Sequence, residues 1–365
     1  MKFGGSGGVI LADVDAVSQP QHFDTPRLSA AGRDELARRW ALTYAASTMH
    51  FVRWKTVQFE RFEGSGEWRQ KQFVTYHGHP GKPPLNIDAA AQERFVELVA
   101  RQPPPDDADN GLGELLILGE EATVTGWDPD RPGRTTILRA DPIDGTSSLA
   151  HCGDGFATVV TVESRRQPGA DWKHLGGAIV RSDGLTVSWS RTQVQAHHVV
   201  LDLSRLDADK RPNIIDLGPI PPFAAVELDE DVRQAVATSG ASVAAHSSKR
   251  REALRAKFPD LQVLSNHLDY RAGTTAAWQL CNGMLGFIVE LNATTIHDSA
   301  HLLPYTLLGG NIVTHEYEPV RIIELIQDHA DPTNLEKVVP PYIAFTDRES
   351  LEIVKAAARA DGRSR

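Results

Sequence analysis

The residues best suited to chemistry stand in one short run, Asp141-Pro142-Ile143-Asp144-Gly145-Thr146-Ser147. Two carboxylates lie three residues apart with a proline between them, and a glycine and two hydroxyl residues follow. Carboxylate oxygens are the preferred donors for hard cations such as Mg²⁺. Backbone N–H groups at a helix start are ready donors to a phosphate. The run therefore offers ligands for a divalent ion and, at Gly145, Thr146 and Ser147, a seat for a phosphoryl group. Three more places could add oxygen ligands: Asp88, Glu120 with Glu121, and Asp298. Ions held among such groups polarise a phosphoryl group, lower the pKa of water and steady a leaving oxygen.

The elements around these residues are expected to present them at ends and turns. Thr135 to Ala140 is β-branched and apolar enough for a strand, and Pro142 and Gly145 then force a turn. Leu115 to Leu118 is a second short strand, ending at Gly119-Glu120-Glu121. A helix beginning near Ile87 carries Phe95, Val96, Leu98 and Val99 as its apolar stripe. Asp88 falls in its first turn, where the helix dipole favours a carboxylate, so capping alone accounts for it at this level. Asp298 lies just ahead of a helix over Leu302 to Leu308, which Gly309-Gly310 ends.

Elsewhere, Ser29 caps a helix over residues 29 to 50. Val57 to Phe62 alternates, Gly64-Ser65-Gly66 turns, and a second run leads to Tyr76, which predicts a β-hairpin. Phe156 to Val162, Leu175 to Val180, Leu185 to Trp189 and Val194 to Leu203 read as a meandering antiparallel sheet. Pro212, Pro219, Pro221 and Pro222 mark a joint between two halves. Beyond it the pattern alternates: helices over Asp229 to Thr238, Ser247 to Phe258 and Gly273 to Asn282, with short strands at Ser242 to Ala245, Leu261 to Leu264 and Phe287 to Leu291. Ile343 to Phe345 is a late strand and Arg348 to Ala358 a closing helix. The expected organisation is an N-terminal extension over 1–28, a metal-binding α+β domain over 29–215, and an α/β domain over 216–365 that completes the site.

Composition narrows the classes. The chain has 365 residues, 41% of them hydrophobic and 24% charged, ordinary for a globular protein with room for two domains. Its net charge of −10 argues against a nucleic-acid surface, and no apolar run approaches a membrane span. Two cysteines, Cys152 and Cys281, make neither a disulfide framework nor a zinc site, so a cytoplasmic setting is expected.

Asp141-Pro142-Ile143-Asp144-Gly145-Thr146 resembles the D-P-x-D-G-T signature of the inositol monophosphatase-like, lithium-sensitive phosphatases. Gly119-Glu120-Glu121 is similar to their G-E-E motif. Asp298 matches the aspartate of their third motif, and Gly309-Gly310 the glycine pair after it. Gly273-Thr274 resembles the small-residue helix start that lies against the phosphate, and His246-Ser247-Ser248-Lys249 a serine-rich turn. The resemblance runs from about residue 29 to 360. It implies a layered α-β-α-β-α sandwich of the α+β class, a mixed, largely antiparallel first sheet, and a homodimer.

It also implies roles. Glu120, Asp141 and the Ile143 carbonyl would hold one Mg²⁺, and Asp141, Asp144 and Asp298 a second, with two or three ions per site. A metal-activated water would attack phosphorus, oriented by Glu120 and Thr146, with Asp88 bonded to the threonine hydroxyl. Glu121 would stand behind the metal ligands or be structural. Gly145, Thr146, Ser147, Gly273 and Thr274 would bind phosphate, and Glu290 substrate hydroxyls. The expected activity is hydrolysis of an inositol or sugar phosphate. A 3′-phosphoadenosine-type nucleotidase, a histidinol-phosphate phosphatase and an inactive scaffold are the alternatives. The chain departs from the pattern at His297, where a tryptophan is usual, and at His301, Pro304 and Tyr305.

Overall fold

The computed structural model describes residues 29–62, 86–103, 113–119, 130, 132–146, 149, 155–204, 212–223, 235–239, 262–265, 274–290, 293–296, 298–314, 316, 318–328 and 339–346. The first element among the described residues is α1 (Ala30–Phe62), whose first turn is capped by Ser29 Oγ accepting from the Gly32 N–H at 3.1 Å. Ala37, Ala41, Ala45, Tyr44, Met49 and Val52 form its buried stripe. The helix continues through Val57–Phe62, where alternation predicts a strand. Once nucleated, a helix gains a hydrogen bond for each residue added, and nothing before Gly64 stops it. The predicted second hairpin strand lies outside the described residues. α2 (Asn86–Arg101) packs beside α1, with Phe95 edge-on to Tyr44.

Seven strands follow in one sheet: β1 (Glu114–Gly119), β2 (Thr135–Asp144), β3 (Ala157–Arg165), β4 (Lys173–Arg181), β5 (Leu185–Ser190), β6 (Val194–Val200) and β7 (Asn213–Pro219). Their spatial order is their chain order. β1 and β2 are parallel, and every later pair is antiparallel. Alternate side chains serve two cores. Val160, Val162, Ala178 and Val180 face α1 and α2. Ala157, Val159, Ile179 and Trp189 face the second half of the chain. The first part of the proline-rich stretch, Asn213–Pro219, is the edge strand of this sheet, with prolines at its limits, where a missing N–H costs no ladder bond.

A short 3₁₀ turn (Thr274–Ala276), α3 (Ala277–Cys281) and α4 (Leu302–Leu307) pack on that second face. A five-stranded mixed sheet lies beyond, built from β8 (Ala235–Ser239), β9 (Gln262–Ser265), β10 (Phe287–Glu290), β11 (Asn311–Thr314) and β12 (Tyr342–Phe345) in the order β11-β12-β10-β8-β9. β8 stands where a helix to Thr238 is expected, because parallel pairing to β10 and β9 overrides local propensity. α5 (Ile322–Asp328) is a helix the periodicity does not reveal. The predicted elements at Ser242 to Ala245, Ser247 to Phe258 and Arg348 to Ala358 lie outside the described residues. The architecture is α+β in stacked layers, with helices on both faces of the first sheet and the second sheet behind. No described helix is long and apolar enough to cross a membrane.

Candidate metal and phosphate site

β2 is buried along its whole length and carries Asp141 and Asp144 at its C-terminal end. A break in the β2–β3 register between these two residues bends the strand so that both carboxylates turn the same way. The bend is fixed from three sides. The Ile143 N–H donates to Asp141 Oδ1 at 3.0 Å, and Thr158 Oγ1 of β3 donates to the Pro142 carbonyl at 2.7 Å. Gly145 then takes φ 92°, a left-handed conformation that glycine adopts without a Cβ clash. The Leu149 N–H donates back to the Gly145 carbonyl at 3.1 Å, which starts a helical turn.

Thr146 opens that turn, and its hydroxyl lies 3.2 Å from Asp88 Oδ1 and 3.0 Å from the Ile143 carbonyl. Asp88 is therefore more than a cap: it sits in the first turn of α2, buried, and links that helix to the end of β2. Gln92, one turn further along the same face, meets the end of β1. A Cβ on Gly119 would lie 1.9 Å from Gln92 Oε1, which is why a glycine closes that strand.

Asp298 arrives from the second half of the chain. Its turn is held reciprocally, the Asp298 N–H donating to Thr295 Oγ1 at 3.2 Å and the Thr295 N–H to Asp298 Oδ2 at 3.4 Å. The turn places Asp298 against the β2 carboxylates. Ligand oxygens of Asp141, Asp144 and Asp298 all lie within 4.8 Å of one another. Asp141 and Asp144 are buried, and Asp298 is half-buried. Three carboxylates brought this close, two of them out of water, repel unless a cation or protons intervene. Oxygen-only donors at that spacing suit a hard divalent ion.

Behind Asp298 lies a group that joins His301 and Glu290 to Tyr342, a residue that the sequence alone does not single out. Tyr342 Oη is 2.9 Å from His301 Nε2, and both side chains are fully or almost fully buried. Burial lowers the His301 pKa to about 3, against a smaller opposing pull from the Asp298 backbone carbonyl, so the imidazole is neutral. Burial, then the charges of Glu290, Asp298 and Asp144, pushes the Tyr342 hydroxyl well above its ordinary value. Glu290 is paired directly with Tyr342 across β10 and β12, so it belongs to the same acidic region. Thr294 Oγ1 and Ser299 Oγ lie 2.5 Å apart across the Asp298 turn.

Thr274 begins the 3₁₀ turn and is fully buried. Its Oγ1 has no hydrogen-bond partner among the described residues. Glu120, Glu121, Ser147, Gly273, His297 and the turn at His246 lie outside the described residues. Two of the unforeseen contributors did carry a signal. Thr295, three residues before Asp298, is a capping-box spacing, and Thr158 is one of two threonines in the otherwise apolar run Phe156 to Val162. Tyr342 carries none, because only the β10–β12 pairing brings it here.

No family model matches the chain, and no curated protein matches it in sequence. Solved structures do match in shape. The IMPase of Thermotoga maritima superposes with a TM-score of 0.51 at 14% identity, covering 87% of this chain and 97% of that one. The extragenic suppressor protein SuhB of Bartonella henselae gives 0.50 at 16% identity, over 87% of this chain and 96% of its own. The chain has the IMPase fold seen in these two structures.

Proposed function

We propose that this chain is a Mg²⁺-dependent phosphomonoesterase acting on a small phosphorylated polyol, an inositol or sugar phosphate. The observation that carries the reading is the convergence of Asp141, Asp144 and Asp298 beside the Gly145-Thr146 turn. Asp141, Asp144 and Asp298 would hold one ion, and Asp141, Glu120 and the Ile143 carbonyl another. Mg²⁺ supplies Lewis acidity toward phosphoryl oxygens and lowers the pKa of water.

The chain's own part is positioning and proton traffic. The Thr146 hydroxyl has one proton and faces two acceptors, Asp88 Oδ1 and the Ile143 carbonyl. Donating to either, it keeps its lone pairs for the proton of an attacking water. When Thr146 donates to Asp88, the hydroxyl's own proton passes to that carboxylate as the water's proton arrives, and the position of Asp88 in the first turn of α2 suits the anionic form that receives it. The N–H groups of Gly145, Thr146 and Ser147 would receive phosphate oxygens, with Gly273 and Thr274 on the opposite side. Glu290, an acidic group at the end of β10, is suited to accept hydrogen bonds from substrate hydroxyls.

We propose further that the enzyme is a homodimer and that Li⁺ inhibits it by competing at the carboxylates. The test is release of inorganic phosphate from inositol, sugar, nucleotide and histidinol phosphates with Mg²⁺, by the native chain and by Asp141→Asn. The expected result is turnover on a polyol phosphate that falls at least about a hundredfold in the variant. No phosphate from any of the panel, with Asp141→Asn indistinguishable from native, would sink the reading and leave a scaffold.

A further inference from the structure

The end of β2 remote from the carboxylates opens into a second cleft, of about 460 Å³. Arg33 from the first turns of α1, Arg134 just ahead of β2, Arg166 after β3, Lys173 at the start of β4 and Arg191 after β5 all line it. Two carboxylates accompany them. Asp34 is buried and already held by Arg191, with Nε to Oδ2 at 2.8 Å. Asp171 is exposed. Five cations against two carboxylates leave an excess of three positive charges, on a chain whose net charge is −10.

Among the described residues that line the cleft, the carboxylates do not match the cations in number. Among the described residues, Arg134, Arg166 and Lys173 enter no ion pair. Burial, then repulsion from Arg33 and Arg166, presses the Arg134 guanidinium below its ordinary pKa. Converging like charges cost stability, so an arrangement that keeps them together in a concavity has the character of a binding site. The walls fit that reading. Gly169, at φ 72°, has open space where a Cβ would stand, so the β3–β4 turn leaves the cleft clear. Leu175 gives it a small apolar floor.

We propose that this cleft binds a small, multiply charged, phosphate-bearing anion. Guanidinium groups match phosphate oxygens in pairs, which favours phosphate as the recognised chemistry. The volume falls in the range of small-molecule pockets. The acidic remainder of the surface disfavours a long polyanion. The cleft is separate from the carboxylate cluster. Arg134 and Asp141 are separated along the extended strand by about 23 Å at ~3.3 Å per residue. The inference does not depend on the phosphatase reading.

The test is calorimetric titration of inorganic pyrophosphate into the full chain, in chelator and at low ionic strength, so that the carboxylates have no metal. Native protein and Asp141→Asn are expected to bind one equivalent equally well, with affinity falling as KCl rises. Arg134→Gln/Arg166→Gln is expected to bind roughly tenfold more weakly or worse, and to melt no lower than native because a repulsion has been removed. Absence of binding in the native chain, equal affinity in the double variant, or loss of binding in Asp141→Asn would overturn the proposal. Should the double variant not fold, Lys173→Gln, at an exposed position, repeats the test: weaker binding supports the cleft and unchanged binding overturns it.

Discussion

Mild acid should loosen this protein through one buried histidine. His174 of β4 is almost wholly enclosed, and its Nε2 accepts a hydrogen bond from Trp189 Nε1 at 2.8 Å. A ring nitrogen that accepts cannot also carry a proton, so protonating Nε2 would break this bond. Burial, only partly offset by the nearby Glu163 charge, accordingly lowers the His174 pKa from 6.5 to about 4. The unfolded chain takes up that proton more readily than the folded one between these two values. The stabilisation is complete above pH 6.5 and is lost as pH falls toward 4. Between pH 7 and pH 5 the loss comes to about 2 kcal/mol from this residue alone. At a urea slope of about 3 kcal/mol per molar, that moves the midpoint by roughly 0.7 M. His174→Gln keeps an acceptor for Trp189 and removes the titration. Urea unfolding of native and variant at pH 7 and pH 5 should show the variant losing about 2 kcal/mol less than native on acidification. Equal losses in the two proteins would refute the reasoning.

Other perturbations probe the site and its support. Asp141→Asn should abolish Mn²⁺ or Mg²⁺ binding by calorimetry while leaving the metal-free melting temperature equal or higher, since it relieves repulsion among three carboxylates. Saturating Mg²⁺ should raise native stability by about 2.7 kcal/mol at a hundred times its Kd, and should leave Asp141→Asn unchanged in the same melt. Arg139→Met should cost about 3–5 kcal/mol in urea unfolding, because it strands Glu163 beneath the sheet without the guanidinium that now lies 3.0 Å away. A cost under about 1 kcal/mol would mean that the pair contributes no more than a surface one. Gly119→Ala should cost about 1–3 kcal/mol by driving a methyl into Gln92, and Gln92→Ala in the same chain should recover most of it.

The site was legible where its chemistry is local. The Asp141 to Ser147 run announces itself because proline, glycine and paired carboxylates constrain a few consecutive residues. α2, β10, α4 and β12 were legible for the same reason, each being a short apolar run bounded by its own turn residues. Elements set by partners distant in sequence were not. β8 has a helix-like composition and becomes a strand through β10 and β9. β7 hides among prolines because it is an edge strand, with Ile215 and Leu217 half exposed, so it never shows a buried alternation. α1 overran its predicted end because propagation outweighed a six-residue alternation. Asp88 could be read as a cap or a ligand-side residue until Thr146 was seen within hydrogen-bonding distance of it.

The arrangement also explains how the carboxylates are held so close to one another. None of them depends on the others for its position. Asp141 and Asp144 are fixed by a strand buried on both faces and by bonds from Ile143 and Thr158. Asp298 is fixed by its reciprocal bonds with Thr295, in a turn backed by the second core. Asp88 and Gln92 tie the ends of β2 and β1 to one face of α2. The mutual repulsion is therefore borne by two hydrophobic cores, each burying many side chains at roughly 1.5–3 kcal/mol apiece. A site held open in this way loses little conformational freedom when a cation enters, so most of the attraction goes into binding. Substitutions in the supporting contacts, Thr295 or Thr158 rather than the aspartates, should then weaken metal affinity while leaving every ligand in place.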